Sequence, residues 1–282
     1  MFEVLESRMI VPNIHLMTFA APAVAREARP GQFIIVRADE DGERIPLSLA
    51  DWDAEAGTVT ICIMNVGYTT NRLTSRQAGE SIPTLVGPLG NATEIEKYGT
   101  VLCIGGCYGI GSIFPIARAM REAGNRVIVI LEGRSSYLLY WEDRFAEIAD
   151  RLVVITRDGT KGYRGHVGRV PYILSQIEEK VDRLILNGCT FLMMRGSAVS
   201  RDLGIPTVVS LNPIMIDGTG MCGVCRVSIA GKTQFACVDG PDFDGHQVDW
   251  EELLQRRKTY MREEVVSVRS SHCEEHAARV EG

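Results

Sequence analysis

Apolar and polar positions alternate over short runs in the first third of the chain. Segments near residues 2–5, 9–20, 32–38, 45–50 and 58–64 are rich in β-branched or aromatic residues and are separated by turn formers. That pattern predicts strands, and a small antiparallel barrel is the natural closure for residues 1–97. Near residue 98 the period changes. Val101-Leu-Cys-Ile is a continuous apolar run, followed by a glycine loop, an amphipathic stretch from Ile113 to Ala123, and Gly124-Asn125 as a stop. Val127-Ile-Val-Ile-Leu, Leu152-Val-Val-Ile and Leu184-Ile-Leu are further buried-type strands with helical stretches between them. The β-α-β alternation predicts a parallel, doubly wound α/β domain over residues 98–209. Residues 210–265 form a third, small unit. Within it Arg226-Val-Ser-Ile, a turn at Gly231-Lys232 and Thr233-Gln-Phe-Ala read as a hairpin, and Asp249 to Arg262 as a helix capped by Asp249. The tail, residues 266–282, is polar and mixed in charge, and is expected to order only against a partner.

Composition narrows the function. The chain has 282 residues, 45% of them hydrophobic, and a formal net charge of −6 without a long basic run. Nucleic acid is therefore not an expected partner. No apolar stretch reaches the ~18 residues of a membrane span. The start, Met-Phe-Glu-Val-Leu-Glu, has neither the basic nor the apolar region of a secretion signal. Eight cysteines in a chain of this length do not make a disulfide scaffold. The expectation is a cytoplasmic protein with reduced thiols.

Three of those cysteines fall in one motif: Asp217-Gly-Thr-Gly-Met-Cys222-Gly-Val-Cys225, with Cys237 twelve residues on. Plant-type [2Fe–2S] ligands are spaced C-x4-C-x2-C with a distant fourth Cys. Here the spacing is intact, and aspartate occupies the first position. A carboxylate is an anionic donor that iron accepts, so three thiolates and Asp217 can close the site. Gly218, Gly220 and Gly223 allow a tight loop with N–H groups turned inward. The nearly equal hairpin arms return Cys225 and Cys237 to the same end. The competing reading is a zinc site of the C-x2-C type completed by Cys237 and His246, with Asp217 an ordinary surface residue.

Three further stretches are candidate cofactor sites. In Arg44-Ile-Pro46-Leu47-Ser48, Arg44 offers a cation to a pyrophosphate and Ser48 a hydroxyl to a flavin ring; the alternative is a solvated arginine beside a strand. Val66-Gly67-Tyr-Thr69-Thr70-Asn, followed by Arg72, is a phosphate-binding turn or a plain capped helix. Gly105-Gly106-Cys107-Tyr-Gly109-Ile-Gly111 lies between a strand and a helix, the context of a dinucleotide loop, although a tight turn needing glycine for packing explains it equally well. The next strand ends at Glu132-Gly-Arg134, where Glu132 suits a ribose hydroxyl and Arg134 a 2′-phosphate, leaving NAD and NADP both open.

Taken together, these features resemble the ferredoxin–NADP reductase superfamily. The tract from Gly204 to Val227 and that from Phe235 to Trp250 resemble the small subunit of NADH-dependent reduced ferredoxin:NADP oxidoreductases, also called the sulfide dehydrogenase small subunit. The electron-transfer subunit of type B dihydroorotate dehydrogenase is a further relative, with Cys where this chain has Asp217. The resemblance extends to about residue 264. It implies a β-barrel flavin domain, a nucleotide domain and a C-terminal [2Fe–2S] domain. It assigns FAD to Arg44, Pro46, Leu47, Ser48, Gly67, Thr69 and Thr70, and the cluster to Asp217, Cys222, Cys225 and Cys237. It implies hydride exchange with NAD(H) and single-electron transfer to a larger, glutamate-synthase-small-subunit-like partner carrying flavin and [4Fe–4S] clusters. That partner splits electrons between this branch and ferredoxin, an electron bifurcation. The alternatives are the dihydroorotate dehydrogenase subunit itself, or a wiring subunit of a hydrogenase or transhydrogenase complex that no longer binds nucleotide. Two departures bear on the last. Cys107 replaces the third glycine of Gly-Gly-Gly-x-Gly-x-Ala-Pro, with Gly111-Ser112 for its Ala-Pro, and Gly188-Cys189-Thr replaces the Gly-Pro that precedes Met-Met. Cys107 and Cys189 are expected either to face each other across the nicotinamide pocket or simply to fill loops.

Overall fold

A computed structural model describes residues 1–177 and 179–267. The first sheet contains β1 (Phe2–Val11), β2 (Ile14–Ala20), β3 (Phe33–Arg37), β4 (Ile45–Asp53), β5 (Thr58–Met64), β6 (Ser81–Ile82) and β7 (Thr84–Leu89), with α1 (Pro22–Glu27) and α2 (Tyr68–Thr74) in its connections. The single run expected over 9–20 is two strands. Val11 pairs with Ile14, and the two-residue turn places Asn13 at φ +64°, a conformation asparagine tolerates. The strand order is β6-β1-β2-β5-β4-β3-β7. Its two end strands follow one another in sequence, so the sheet curls into a nearly closed barrel. Met17, Phe19, Ile34, Leu49 and Ile61 fill it.

The second sheet contains β8 (Thr100–Gly106), β9 (Arg126–Gly133), β10 (Arg151–Thr156), β11 (Tyr163–Arg164), β12 (Arg183–Asn187) and β13 (Thr207–Ser210), interleaved with α3 (Gly109–Glu122), α4 (Glu142–Ile148), α5 (Val170–Ile177) and α6 (Thr190–Asp202). The strands from β11 to β13 pair in parallel, in the order β11-β10-β9-β8-β12-β13. From β8 the chain winds first one way and then the other. The switch point therefore falls between β8 and β12, where ligands of such sheets bind at the carboxyl ends. Helix α3 begins at Gly109, four residues before its amphipathic stretch. Its first turns are buried on every side, so packing outweighs the poor helix propensity of Gly-Ile-Gly-Ser.

The remaining elements are the hairpin of β14 (Arg226–Ile229) and β15 (Lys232–Phe235), then β16 (Asp242–Asp244) and α7 (Trp250–Arg257). The hairpin has the expected register, Arg226 opposite Phe235. Asp249 caps α7, its carboxylate accepting from the Glu252 N–H at 2.9 Å. α7 closes at Arg257, and a turn over 258–260 separates it from a second helical stretch over 261–267 that contains Arg262. β16 adds antiparallel to β13, fastening the cysteine-bearing segment to the edge of the parallel sheet. Residues 266 and 267 of the expected tail continue the helical stretch that follows α7, and from residue 268 the tail lies outside the described residues.

Candidate functional site

The loop over 217–225 is organised by its own aspartate. Asp217 Oδ2 accepts from the Thr219 N–H at 2.9 Å, the Thr219 hydroxyl at 2.6 Å and the Met221 N–H at 3.2 Å. The Thr219 hydroxyl, followed by the two N–H groups, holds the carboxyl below its ordinary range. Among the described residues no donor engages Oδ1, which leaves that oxygen available to a metal. Gly218, Gly220 and Gly223 all have positive φ, +82°, +86° and +67°, the left-handed conformations that a loop this tight requires. Behind the loop, Cys225 and Cys237 are buried with their sulfurs 3.2 Å apart. Burial, and then the Cys225 thiol, push Cys237 up to about 12, while a Gly220 N–H bond acts in the opposite direction. Cys222 and Met221 are exposed.

This donor set fits a two-iron, two-sulfide centre. Cys225 and Cys237 are close enough to serve one iron, and Asp217 and the exposed Cys222 of the same loop have the anionic donor chemistry a second iron would need. Both thiols of the buried pair must lose protons on binding, as metal ligation demands. Among the described residues no three His, Cys, Asp or Glu side chains converge, so the structure brings Cys225 and Cys237 together but does not gather Asp217 and Cys222 with them. The histidine that a zinc site would need lies elsewhere: His246 Nε2 is 3.0 Å from Ser200 Oγ, beside α6.

Arginines from two other elements grip the loop. Arg44, just before β4, donates from Nε to the Ile216 carbonyl at 2.9 Å and from Nη2 to the Asp217 carbonyl at 3.2 Å. Arg256 of α7 donates to the Val224 carbonyl at 3.0 Å. The sequence suggested a pyrophosphate for Arg44; the loop carbonyls are its partners here.

A cleft of about 280 Å³ opens between barrel and parallel sheet. Pro46, Leu47 and Ser48 line it from the barrel, Tyr108, Ser112 and Asn187 from the switch point, and Arg257 from α7. Of the expected cofactor residues only Pro46, Leu47 and Ser48 line it; Arg44, Gly67, Thr69, Thr70, Gly105, Gly106 and Gly109 do not, and the glycine loop contributes Tyr108. A larger cavity, about 620 Å³, lies among Arg183, Arg201, Asp242 and His246; of the candidate residues it holds only His246, the histidine of the zinc alternative. Several cleft residues were not foreseen. Asn187 Nδ2 donates to Ser112 Oγ at 3.1 Å, and its buried Oδ1 has no partner among the described residues. The Tyr108 hydroxyl donates to the Gly188 carbonyl at 2.9 Å and accepts from Asn212. Arg257 donates to Thr190 and, at 3.0 Å, to Asn212 Oδ1. Asn187, at the end of a buried strand beside the glycine loop, was a readable signal; Arg257, 70 residues further on, was not.

The other expected residues have specific occupations. Gly67 caps α2, and the Thr70 hydroxyl accepts from the Val66 and Gly67 N–H groups at 3.0 and 2.9 Å. Thr69 donates to Glu43 at 3.3 Å. Gly105 and Gly106 end β8, and Gly109 lies against the Asn187–Gly188 backbone, where a side chain would collide. Glu132 is buried; it accepts from the Val167 N–H at 2.7 Å and pairs with Arg157 at 3.3 Å. Burial raises its carboxyl above the usual range. It buttresses the following loop, whereas Arg134 is exposed. Cys107 has φ +54°. Its side chain is exposed, and because Gly105 pairs with Asn187 across β8 and β12, Cys107 and Cys189 follow at the same end of the sheet.

The iron–sulfur cluster binding domain of dihydroorotate dehydrogenase B matches residues 212–249. A ferredoxin NADP+ reductase from Neisseria gonorrhoeae shares the fold, with TM-score 0.61 and 18% identity over 72% of this chain and 90% of its own. Barrel, doubly wound sheet and cluster-binding segment define an oxidoreductase electron-transfer subunit of the ferredoxin-reductase class. A dihydroorotate dehydrogenase B (NAD(+)) electron transfer subunit homolog from Thermotoga maritima is 44% identical over 94% of this chain and 93% of that protein. The corresponding subunit from Desulforamulus reducens is 30% identical over 88% and 97%. The chain belongs to this family of electron-transfer subunits. A solved structure of the NADH-dependent reduced ferredoxin-NADP oxidoreductase, described in connection with flavin-based electron bifurcation, aligns with TM-score 0.89 and 44% identity over 94% of this chain and 95% of that one.

Proposed function

We propose that this chain passes electrons between NAD(H) and a larger partner subunit through FAD in the cleft and a [2Fe–2S] cluster on the Asp217 loop, in a cytoplasmic complex that bifurcates electrons with ferredoxin and NADP(H). When bound, the flavin exchanges a hydride with nicotinamide and single electrons with the cluster. The chain's own residues bind and orient. Pro46, Leu47 and Ser48 form one wall for the flavin, and the Ser48 hydroxyl is exposed toward the cleft. Gly67, Thr69 and Thr70 receive its phosphates. Gly105, Gly106 and Gly109 carry the nucleotide at the switch point, with Arg134 rather than the buried Glu132 free to meet the adenosine end. Asp217, Cys222, Cys225 and Cys237 hold iron. The hydride step needs no side chain as acid or base.

One observation carries the reading: the paired sulfurs of Cys225 and Cys237 lie under a loop whose aspartate already presents a free oxygen. The similarity over whole chains to the bifurcating enzyme's structure supports the bifurcating complex over the dihydroorotate dehydrogenase alternative. Anaerobic reconstitution is expected to give two irons and two sulfides per chain; zinc or no metal would overturn the reading. Asp217→Cys is expected to retain the cluster with altered EPR spectrum and midpoint potential, and an unchanged spectrum and potential would remove Asp217 from the ligands.

The second reading, a wiring subunit that no longer takes nucleotide, draws on Cys107 in the glycine loop and on the Tyr108–Asn212–Arg257 bonds across the switch point. The wiring reading predicts that NADH fails to bleach the bound flavin.

A further inference from the structure

We infer that Arg44 is a positioning residue of the iron–sulfur centre, fixing the ligand loop to the flavin wall and setting the cluster potential. The inference rests on the proposed assignment of the Asp217 loop to a [2Fe–2S] cluster. The guanidinium spends two donors on consecutive carbonyls at the start of that loop, those of Ile216 and Asp217. The second belongs to the ligand itself. Two to four residues beyond Arg44, Pro46, Leu47 and Ser48 line the cleft. A short path of one hydrogen bond and a few covalent links therefore joins the iron ligand to the flavin wall. The loop start also rests on the barrel at Gly218, where a side chain would meet Ile35 and Leu89. Packing thus supplies the seat, and Arg44 supplies the orientation.

The charge has its own consequence. Its hydrogen bonds go to neutral carbonyls, and its positive charge lies near enough to the Asp217 carboxylate to help stabilise that anion. Reduction adds one negative charge to a cluster. A fixed cation at the ligand's own backbone favours the reduced form by Coulomb attraction, and its removal lowers the midpoint potential. Arginine also holds two carbonyls in fixed geometry, which lysine cannot reproduce with a single ammonium point charge.

The test is an EPR-monitored redox titration of the reconstituted full chain, wild type against Arg44→Gln and Arg44→Lys, with flavin bound and after its removal. The flavin-free arm eliminates effects transmitted through the cofactor. Arg44→Gln is expected to shift the reduction equilibrium toward the oxidised cluster by about tenfold, roughly 59 mV for one electron; Arg44→Lys, which keeps the charge but not the grip on two carbonyls, is expected to recover most of the potential while broadening the EPR signal of the less firmly held loop. Loss of the cluster from Arg44→Gln alone would also support the positioning role. An intact cluster of unchanged potential in Arg44→Gln, accompanied only by weaker flavin retention, would overturn it and leave Arg44 a diphosphate ligand. Absence of iron from the wild type would instead defeat the functional reading itself.

Discussion

Asp217 and Glu132 are both carboxylates at candidate sites, and their surroundings drive them in opposite directions. Three donors stabilise the anion of Asp217, as a metal ligand requires. Glu132 is desolvated beneath Val167 and Arg157, so its protonated form is favoured. The consequence for stability follows from linkage. A carboxyl whose folded value lies above its ordinary 4.5 contributes stability fully below that pH and loses it as pH rises through the folded value. Glu132→Gln keeps an acceptor for the Val167 N–H and removes the titration. Melting temperatures measured from acid to neutral pH should therefore fall less steeply above pH 4.5 in the variant, and parallel curves would contradict the assignment. At this scale the sequence was partly legible. The spacing of Asp217, Cys222, Cys225 and Cys237 is local, so it could be read directly. Whether Glu132 faces a ribose or a buried N–H depends on a loop 35 residues away, and no local pattern encodes that.

Elements set which of these residues can meet. The glycine loop works by close approach as much as by conformational freedom: at Gly109 the first turn of α3 presses on the Asn187–Gly188 backbone. Gly109→Ala should cost roughly 1–3 kcal/mol through overpacking, read as a lowered denaturant midpoint at unchanged slope. A variant as stable as wild type would show that α3 has room there. The β-α-β alternation was visible in the sequence because buried parallel strands are continuous apolar runs. β6 and β16, two and three residues long, are too short to carry a period, and each is specified by its partner strand. The early start of α3 was hidden for a related reason, since glycine and serine are weak helix formers and only burial against β8 and β4 selects the helix.

At the scale of the whole molecule the site is an assembly. One cleft takes residues from position 33 to position 257, and the cluster loop is held by Arg44 from the barrel and Arg256 from α7. Such convergence explains why the barrel, the doubly wound sheet and the hairpin could each be read in order, while Asn212 and Arg257 could not be assigned to the cleft. The arrangement agrees with the relay proposed above, with nucleotide at the switch point, flavin between sheet and barrel, and cluster beside the flavin wall. Among the described residues no helix is long and apolar enough to cross a membrane. The most direct test of the relay is an anaerobic titration of the chain, loaded with FAD and reconstituted with iron and sulfide, by NADH under EPR. The account predicts that NADH bleaches the flavin and that the signal of a reduced two-iron centre rises with it. A cluster that dithionite reduces but NADH leaves silent, beside a flavin that stays oxidised, would contradict it.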